Sequence, residues 1–274
     1  MRKIYTLGVI VILIISFGTI SSCKKEVVIQ TVTVRDTVRI TETLPTPPID
    51  SLTIGLIAYY PFNNSGVDQS GNGNHGFIYN MTATSDRNGK YNAAYHFDGS
   101  TSYIQVKDNQ ALRLNATDYT INTWQKIESY GPTYGSIIVC KRGNGNNNGW
   151  DYGIHGYAGS NGAILGQTTM IISGGNDPTA SGVKILNLNT WYMLTTVYSA
   201  QKQQISFYVN GVLDNVTNSI PTPSINANSD MFIGCDNPAV TSSGYFFKGS
   251  LDDMRIYGRA LTLKEIQKLY TLTF

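Results

Sequence analysis

Residues 204–216 read QISFYVNGVLDNV, and this stretch predicts a β-hairpin. The central Asn-Gly pair tolerates the two positive φ angles of a type I′ turn, whose twist matches that of the flanking strands. Because side chains alternate across a strand, Ile205, Phe207 and Val209 are expected to share one face. From about residue 54 onward, similar short runs are separated by clusters of Gly, Asn, Asp and Ser. This pattern predicts an all-β, two-sheet antiparallel sandwich.

Further strands and one short C-terminal helix are predicted outside the hairpin. The strands fall at 55–60, 94–97, 103–106, 120–126, 135–141, 150–154, 163–172, 191–199, 230–233 and 249–257. Thr262 and Glu265 have the spacing of a capping box, which predicts the start of the helix. The apolar side chains that recur on one side of it at helical spacing are Leu263, Ile266, Leu269 and Tyr270.

The N-terminal residues have the pattern of a bacterial lipoprotein signal. Arg2 and Lys3 precede an apolar run at residues 7–17, and small residues lead from it to Cys23. The run is shorter than the roughly 20 apolar residues that a membrane span needs. The sequence therefore predicts a signal peptide over residues 1–22, removed by cleavage before a lipidated Cys23. A plain secretory signal is the alternative.

The mature chain then divides into a tether and a domain. Residues 23–50 alternate apolar and polar side chains and include a proline-rich stretch at 45–48, which favours an extended spacer. The strand pattern begins after this stretch. We therefore expect a lipidated tether over 23–50 and one β-sandwich domain over 51–274.

Net charge argues against a nucleic-acid partner. The precursor has 20 Lys and Arg against 18 Asp and Glu, and the signal peptide carries two basic residues and no acidic one. The mature chain is therefore neutral, and its basic residues form no cluster longer than two. Nucleic-acid-binding proteins need a basic patch. We expect no nucleic-acid partner, and contact with the membrane through the lipid anchor only.

Two further cysteines, Cys140 and Cys235, each end an apolar run. An exported protein meets oxidising conditions, in which a disulfide is allowed. Free cysteine is also among the most buried residue types, so two separate core thiols are the alternative. The sequence leaves both possibilities open.

Seven stretches, taken in order, resemble the LamG-like (laminin-G-type) domains of the concanavalin A-like lectin/glucanase superfamily. They are residues 55–62, 68–76, 95–106, 119–126, 191–198, 207–211 and 249–261. The resemblance implies a two-sheet antiparallel jelly roll with long loops at one rim, here closed by one short C-terminal helix. It implies less about the ligand, because one fold hosts many functions.

The DQSGNGNHG loop is the candidate metal site. Calcium takes about six to eight oxygen ligands, and Asp68, Asn72 and Asn74 offer side-chain oxygens beside glycines that let carbonyls turn inward. The resemblance implies a remote carboxylate from the last strand, at Asp252 or Asp253. Alternation places Asp252 on the apolar face of that strand, where an acid needs a partner, so Asp252 is favoured. We expect a structural Ca²⁺; the alternative is that these residues only build tight turns.

Aromatic and amide side chains in loops are the candidate ligand-binding groups. A flat aromatic face can stack on a sugar ring, while amides bond the sugar hydroxyls. The candidates of these two kinds are Tyr130, Tyr134, Asn146, Asn148, Trp150, Tyr157 and Tyr245. For each of them the alternative is a solvated loop without a ligand. Trp124 and Trp191 lie in strand patterns and are expected to pack in the core.

Catalysis is not expected. Glycosidases normally need two carboxylates that flank the scissile bond. The chain has four glutamates, Glu26, Glu42, Glu128 and Glu265, of which two lie in the tether and one in the capping box. The Glu-x-Asp-x-x-Glu strand of related glucanases is absent, as are the Gly-x-Ser-x-Gly and His-Glu-x-x-His motifs.

The sequence therefore predicts a lipid-anchored, non-catalytic recognition module that binds a glycan or glycoprotein and holds a structural calcium ion. The alternatives are a protein-binding adhesion domain, a structural subunit of a surface complex, and a divergent glycoside hydrolase. Lys24 and Lys25 stand where an Asp commonly retains lipoproteins at the inner membrane. The expected location is the outer membrane, facing either the periplasm or the cell surface.

Overall fold

The computed structural model describes most of the chain from Asp50 onward, within the compact unit Asp50–Phe274. The described residues are 50–115, 117–131, 135–143, 149–156, 164–173, 179–222, 228–238 and 244–272. The signal peptide and residues 23–49 of the tether lie outside them, as do the predictions for Cys23, Tyr134, Asn146, Asn148 and Tyr157. No helix within these ranges is long and apolar enough to cross a membrane.

Two antiparallel sheets form the body of the domain. In the described ranges the first sheet has eight strands: β1 (Leu56–Tyr60), β3 (Thr82–Thr84), β4 (Ala94–Asp98), β6 (Tyr119–Ser129), β11 (Trp191–Ser199), β12 (Gln204–Val209), β13 (Val212–Asn218) and β15 (Lys248–Tyr257). The second has seven: β2 (Gly76–Tyr79), β5 (Tyr103–Val106), β7 (Ser136–Arg142), β8 (Gly149–Ile154), β9 (Thr168–Ser173), β10 (Thr179–Ser181) and β14 (Met231–Ile233). The predicted jelly-roll sandwich is confirmed.

Strand order brings distant parts of the chain together. The eight-stranded sheet runs β13-β12-β11-β6-β15-β4-β3, with β1 paired to β15, and the seven-stranded sheet runs β10-β9-β8-β7-β14-β5-β2. The last strand, β15, therefore lies deep inside its sheet, between β6 and β4. In the other sheet β2 is an edge strand, and it pairs with β5.

The main core lies between the two sheets, and the register decides which side chains enter it. Ile104 of β5 pairs with Ile233 of β14, and both are buried in this core. One residue further along, Gln105 pairs with Phe232. Because successive side chains point to opposite faces, this second pair faces away from the core. The outer face of the seven-stranded sheet therefore carries polar and aromatic side chains next to each other, such as Gln105 and Phe232.

The β12–β13 hairpin confirms the turn predicted from the sequence. Asn210 and Gly211 have φ angles of 51° and 77°, as a type I′ turn requires. Val209 pairs with Val212 across it. The three apolar side chains of β12 that were predicted to share a face are all buried.

The helix α1 (Leu263–Thr271) packs on the outer face of the eight-stranded sheet. Ile266 and Leu269 are buried there in a second hydrophobic cluster that includes Trp124 of β6. Tyr270 stacks on Trp124 with ring centroids 5.6 Å apart. Leu263 is exposed, so the buried side of the helix is narrower than the spacing predicts.

A capping box and one arginine hold the start of α1. The Thr262 hydroxyl accepts from the Glu265 N–H, and the Glu265 carboxylate accepts from the Thr262 N–H, as predicted. The Arg259 guanidinium donates to both Glu265 oxygens at 2.7 and 2.9 Å. It also donates to the carbonyl oxygens of Ser51 and Ile54, each at 2.7 Å. Arg259 therefore joins the first residues of the domain to its last helix.

Cys140 and Cys235 are free and buried. They belong to a third cluster, on the outer face of the seven-stranded sheet, together with Ile137 and Phe232. The Sγ atom of Cys140 lies 3.5 Å from the carbonyl oxygen of Cys235. Burial raises the pKa of both thiols. Of the two possibilities that the sequence left open, the structure has the two separate thiols.

Candidate functional site

The loop between β1 and β2 carries three of the predicted calcium ligands. Asp68 is buried, and its carboxylate accepts four hydrogen bonds from the protein itself. Three come from the backbone N–H groups of Tyr59, Ser70 and Asn74, at 2.9, 2.8 and 2.9 Å. The fourth comes from the Ser70 hydroxyl at 2.8 Å. Asp68 therefore organises the loop through its own backbone.

The two asparagine side chains of this loop turn their N–H groups toward a backbone carbonyl. Asn72 Nδ2 and Asn74 Nδ2 donate to the carbonyl oxygen of Ile57 at 3.0 and 2.9 Å. The remaining oxygen of the Asn74 amide accepts from Asn109 Nδ2 at 2.8 Å. The structure thus brings the three predicted ligands together, but as members of a hydrogen-bonded turn.

The fourth predicted ligand, Asp252, has a different environment. A bulge in β15 shifts the register between Asp252 and Arg255, and Asp253 has a φ of 48°. Left-handed backbone costs a non-glycine residue about 1–2 kcal/mol. The bulge brings both carboxylates to one guanidinium, because Asp252 and Asp253 each accept a hydrogen bond from Arg87 Nη1.

The prediction that Asp252 lies on the apolar face of the last strand is therefore wrong. Asp252 pairs across the sheet with Trp124, whose ring packs in the outer cluster beneath α1. Met254 instead faces the main core. Simple alternation would put Asp252 and Met254 on the same side, but the extra residue of a bulge reverses the faces beyond it.

These contacts do not fit calcium at the four predicted ligands. The Asp68 oxygens are engaged by N–H and O–H donors, and the two amides direct donors toward Ile57. Asp252 is engaged by Arg87. Within the described part of the chain, no three Asp, Glu, His or Cys side chains are grouped so that they could hold a metal ion. Calcium stays a prediction that the geometry does not favour.

A cleft of about 190 Å³ lies beside the two aspartates of the bulge, and Gln69 also lines it. Tyr59 forms part of its wall and donates through its hydroxyl to Asp253 Oδ1 at 2.7 Å. The Arg255 guanidinium lies over the Tyr59 ring, 3.9 Å from its centroid. Burial and the neighbouring Asp253 raise the pKa of Asp252 to about 7. The buried charges of this cleft are paired with one another, which leaves little for a ligand to neutralise.

The predicted ligand-binding residues that the structure describes are at least partly buried. Trp150 is 0% exposed, and its indole N–H donates to the carbonyl oxygen of Leu112 at 3.1 Å. The prediction that Trp150 contacts a ligand is wrong, because β8 turns this side chain into the core. The Tyr130 hydroxyl donates to the Leu186 carbonyl at 2.5 Å. Tyr245 packs against the third cluster.

A different group of aromatic side chains reaches solvent. This aromatic patch lies on the outer face of the seven-stranded sheet at its β2 edge and consists of Phe77, Tyr79, Tyr103 and Phe232. Tyr79 and Tyr103 are cross-strand partners, and their rings stack with centroids 4.5 Å apart and an interplanar angle of 14°. Phe77 is 56% exposed and Tyr79 is 38% exposed, whereas Phe232 is buried. Exposure therefore increases toward the edge of the sheet.

A chain of hydrogen bonds holds the patch in place. The Tyr79 hydroxyl donates to Gln105 Oε1 at 3.0 Å, and Gln105 Nε2 donates to Asp230 Oδ2 at 2.6 Å. Lys107 Nζ lies 2.9 Å from the same oxygen. Although burial acts to raise it, hydrogen bonds from Lys107 and Gln105 lower the pKa of Asp230. The network ends in a stable carboxylate and fixes the position of the exposed ring.

The aromatic patch was not predicted from the sequence. Its edge strand β2 has only four residues and directly follows the glycine-rich loop, so it was not recognised as a strand. The available signal was the spacing of Phe77 and Tyr79, since residues two apart share one face of a strand. The predicted tyrosines were chosen because they lie in loops, whereas the exposed pair lies on strands.

A family profile also matches the sequence of this domain. Residues 98–267, more than half of the chain, match a laminin-G-type family profile described as the concanavalin A-like lectin/glucanases superfamily. The chain belongs to this superfamily, and the resemblance seen in the sequence is confirmed. A search of curated proteins found no match.

Solved structures share the fold at low sequence identity. Domain 4 of AbnA, a GH43 extracellular arabinanase from Geobacillus stearothermophilus, in complex with arabinotriose, has a TM-score of 0.56 and 22% identity over 79% of this chain and 98% of that one. The botulinum neurotoxin serotype D/C VPI 5993 binding domain has a TM-score of 0.60 and 17% identity. Its match covers 80% of this chain and 52% of that one. A botulinum neurotoxin DC binding domain in complex with SialylT has a TM-score of 0.56 and 16% identity. Its match covers 80% of this chain and 52% of that one. This chain thus spans about half the length of the toxin binding domains.

Proposed function

We propose that this protein is a lipid-anchored, non-catalytic carbohydrate-binding module and that the aromatic patch is its ligand surface. The observation that carries the proposal is the Tyr79 ring, which is exposed yet held by a stack on Tyr103 and a hydrogen bond to Gln105. The lipid would be attached to Cys23, the cysteine that follows the signal pattern.

The physical basis is the cost of leaving aromatic rings in water. Phe77 and Tyr79 stand next to each other on one strand face with large exposed fractions, and contiguous exposed apolar surface commonly marks a binding site. A sugar ring presents C–H groups on one side and can cover such a ring. Because Tyr79 is already fixed, binding orders few side-chain rotamers, and the entropic cost of association is small.

The polar groups beside the patch suit the hydroxyls of a sugar. Lys107 is mostly exposed and directly follows the end of β5; its Nζ and Gln105 Nε2 both bond Asp230 Oδ2. Ligand sites typically combine an apolar surface with a few placed polar groups. The patch, the Gln105–Asp230 pair and Lys107 give that combination along one sheet edge.

Structural neighbours support the ligand class. The arabinanase domain with this fold was solved in complex with arabinotriose, a saccharide, and its match covers nearly all of that domain. The superfamily description includes both lectins and glucanases. For this chain, the missing Glu-x-Asp-x-x-Glu pattern supports binding without cleavage, since glycosidases normally need a pair of carboxylates.

A glycan array followed by calorimetric titration of the best ligand tests the ligand surface. We expect Tyr79→Ala to weaken binding about tenfold or more, which corresponds to about 1.4 kcal/mol. Tyr91→Ala is the matched control: Tyr91 is 75% exposed and lies in the connection between β3 and β4, strands of the other sheet. Its affinity should equal that of the wild type.

Three outcomes would overturn the proposal. If no glycan binds, a protein-partner adhesion domain is the better hypothesis. If Tyr79→Ala binds like the wild type, a sugar site lies elsewhere. If the wild-type protein releases reducing sugar from a bound polysaccharide, the module is catalytic.

The anchor requires a separate experiment. The full precursor, expressed in a bacterium with a lipoprotein pathway, should take up labelled fatty acid and fractionate with membranes. Cys23→Ser should be unlabelled and soluble. Protease treatment of intact cells then distinguishes a cell-surface from a periplasmic orientation. Label in Cys23→Ser, or wild-type protein that fractionates as soluble, would contradict the lipid anchor.

A further inference from the structure

Arg87 is buried at the outer face of the eight-stranded sheet, where it meets two carboxylates. Its side chain is 7% exposed, and those of Asp252 and Asp253 are 4% and 5% exposed. The same atom, Nη1, donates to Asp252 Oδ2 and, at 2.7 Å, to Asp253 Oδ2. The guanidinium therefore lies at the centre of a buried ionic cluster.

Several separate parts of the chain meet at this guanidinium. Arg87 itself lies in the connection between β3 and β4, and the two carboxylates belong to β15. Arg87 Nη2 donates to the carbonyl oxygen of Leu272, just beyond α1, at 3.2 Å. The guanidinium carbon lies 4.7 Å from the centroid of the Trp124 ring in β6. The cluster thus fastens a loop and the C-terminal helix to the sheet.

The charges show why a cation is needed at this point. Two neighbouring carboxylates repel each other, and their removal from water disfavours both charged forms. Asp253 is partly compensated, because its Oδ1 accepts from the Tyr59 hydroxyl and lies 3.4 Å from Arg255 Nη2, whereas Asp252 is paired with Arg87. A divalent ion with carboxylate ligands is one solution to such a pair. A guanidinium is another, because its several N–H donors can bond more than one carboxylate oxygen.

We infer that Arg87 is a built-in counter-ion that takes the place of the calcium ion expected at Asp252, so that this domain folds without a metal. The bulge at Asp253 serves this arrangement, since it delivers both carboxylates to one guanidinium. The Asp68 loop is consistent with a domain that folds without a metal, because the Asp68 carboxylate already accepts hydrogen bonds from three backbone N–H groups and the Ser70 hydroxyl. The inference does not depend on the proposed sugar-binding function.

Thermal unfolding of the full mature protein, in excess EGTA and in millimolar CaCl₂, tests the inference. The wild-type Tm should be the same in both. Arg87→Ala leaves the buried Asp252 carboxylate without its cation and leaves Asp253 with the more distant Arg255 guanidinium, at 3.4 Å, and it should lower the Tm by roughly 10 °C. Calcium should restore part of that loss, because it can then bind the freed carboxylates. Lys268→Ala is the control, since it removes a solvent-exposed ion pair with Asp50 and should change the Tm little.

A second set of variants separates loss of charge from loss of packing. Arg87→Lys keeps the positive charge and should be less destabilised than Arg87→Ala. The double variant Arg87→Ala, Asp252→Asn removes the unpaired charge while keeping Asp253 beside Arg255, and it should recover stability without a response to calcium. The inference is overturned if EGTA lowers the wild-type Tm, or if calcium has no effect on Arg87→Ala while the double variant recovers nothing.

Discussion

The outer faces of the two sheets differ in how far the rest of the chain covers them. On the eight-stranded sheet, α1 and the connection between β3 and β4 cover the strands, and Arg87 and Trp124 are buried beneath them. On the seven-stranded sheet, Phe77 and Tyr79 reach solvent at the edge. One face is closed by the chain itself, whereas the other keeps apolar surface available. This contrast is the basis of our proposal that the outer face of the seven-stranded sheet binds the ligand, while the outer face of the eight-stranded sheet stabilises the domain.

The two faces differ in how their polar groups are used. Beneath α1, buried charges are joined to each other and to backbone carbonyls, so the face is complete without a ligand. At the aromatic patch, the hydrogen bonds run along the sheet and fix the Tyr79 ring, but they do not cover it. Substitutions on the closed face should therefore alter the free energy of unfolding, and those on the open face should alter binding.

The largest expected effect is on the closed face. Leu269 is buried between α1 and the sheet, and Leu269→Ala should lower the free energy of unfolding by about 2–5 kcal/mol, because it leaves a cavity. Denaturant unfolding measures this change. Glycan affinity, measured under conditions where the variant is folded, should be unchanged. A loss of affinity in the folded variant would break the separation between the two faces.

A smaller effect is expected at the start of the same helix. Thr262→Ala removes the N-cap side chain that accepts from the Glu265 N–H and should cost about 1 kcal/mol. Thr262→Ser keeps the hydroxyl and serves as the control. Equal stability of the alanine and serine variants would show that the sheet, and not the cap, holds this helix.

The ion pair between Arg259 and Glu265 should make the stability of the domain depend on pH, and its direction follows from the pKa of Glu265. Hydrogen bonds from Arg259 lower the pKa of Glu265 to about 2, against an ordinary value of 4.5. A carboxyl group with a lowered folded-state pKa contributes stability that is complete above the unfolded pKa and lost as the pH falls toward the folded one. The Tm difference between wild type and Glu265→Gln should therefore shrink between pH 4.5 and pH 2. Because the pair is partly exposed, we expect less than about 1 kcal/mol, and a difference independent of pH would contradict this assignment.

The smallest effect on stability is expected on the open face. Phe77→Ser should change the free energy of unfolding by no more than about 0.5 kcal/mol, because the ring is mostly in solvent. The same variant should bind the glycan more weakly than the wild type. Leu263→Ser, on the exposed side of α1, is the control and should leave both quantities unchanged. A destabilisation as large as that of Leu269→Ala would show that Phe77 belongs to the core.

Elements set by local sequence were predicted well. The Asn-Gly turn, the capping box and the strand Trp191–Ser199 depend on residues close together in the chain, and each is present as expected. Short edge strands were not. The strands β2, β3 and β10 have three or four residues each, too few for a periodic pattern, and they are fixed by pairing with distant strands.

The candidate site depends on features that a single sequence does not reveal. The bulge at Asp253 reverses the faces of β15, and it becomes visible only through the pairing of β15 with β6. The Tyr79–Tyr103 stack requires the β2–β5 register, which joins segments far apart in the chain. Trp150 follows a stretch of glycine and asparagine that is typical of a loop, whereas its burial follows from the strand that begins at Gly149.

The Arg259 contacts have a mechanical consequence. A pull on the chain ahead of Asp50 meets the bond from Lys268 of α1 to the Asp50 carboxylate and then Ser51 and Ile54, whose carbonyls bond to Arg259. Because Arg259 is bound to Glu265 of α1 and follows the buried strand β15, tension is shared between helix and sheet before β1 can peel away. These contacts hold the domain at the end where the proposed lipid anchor would apply force.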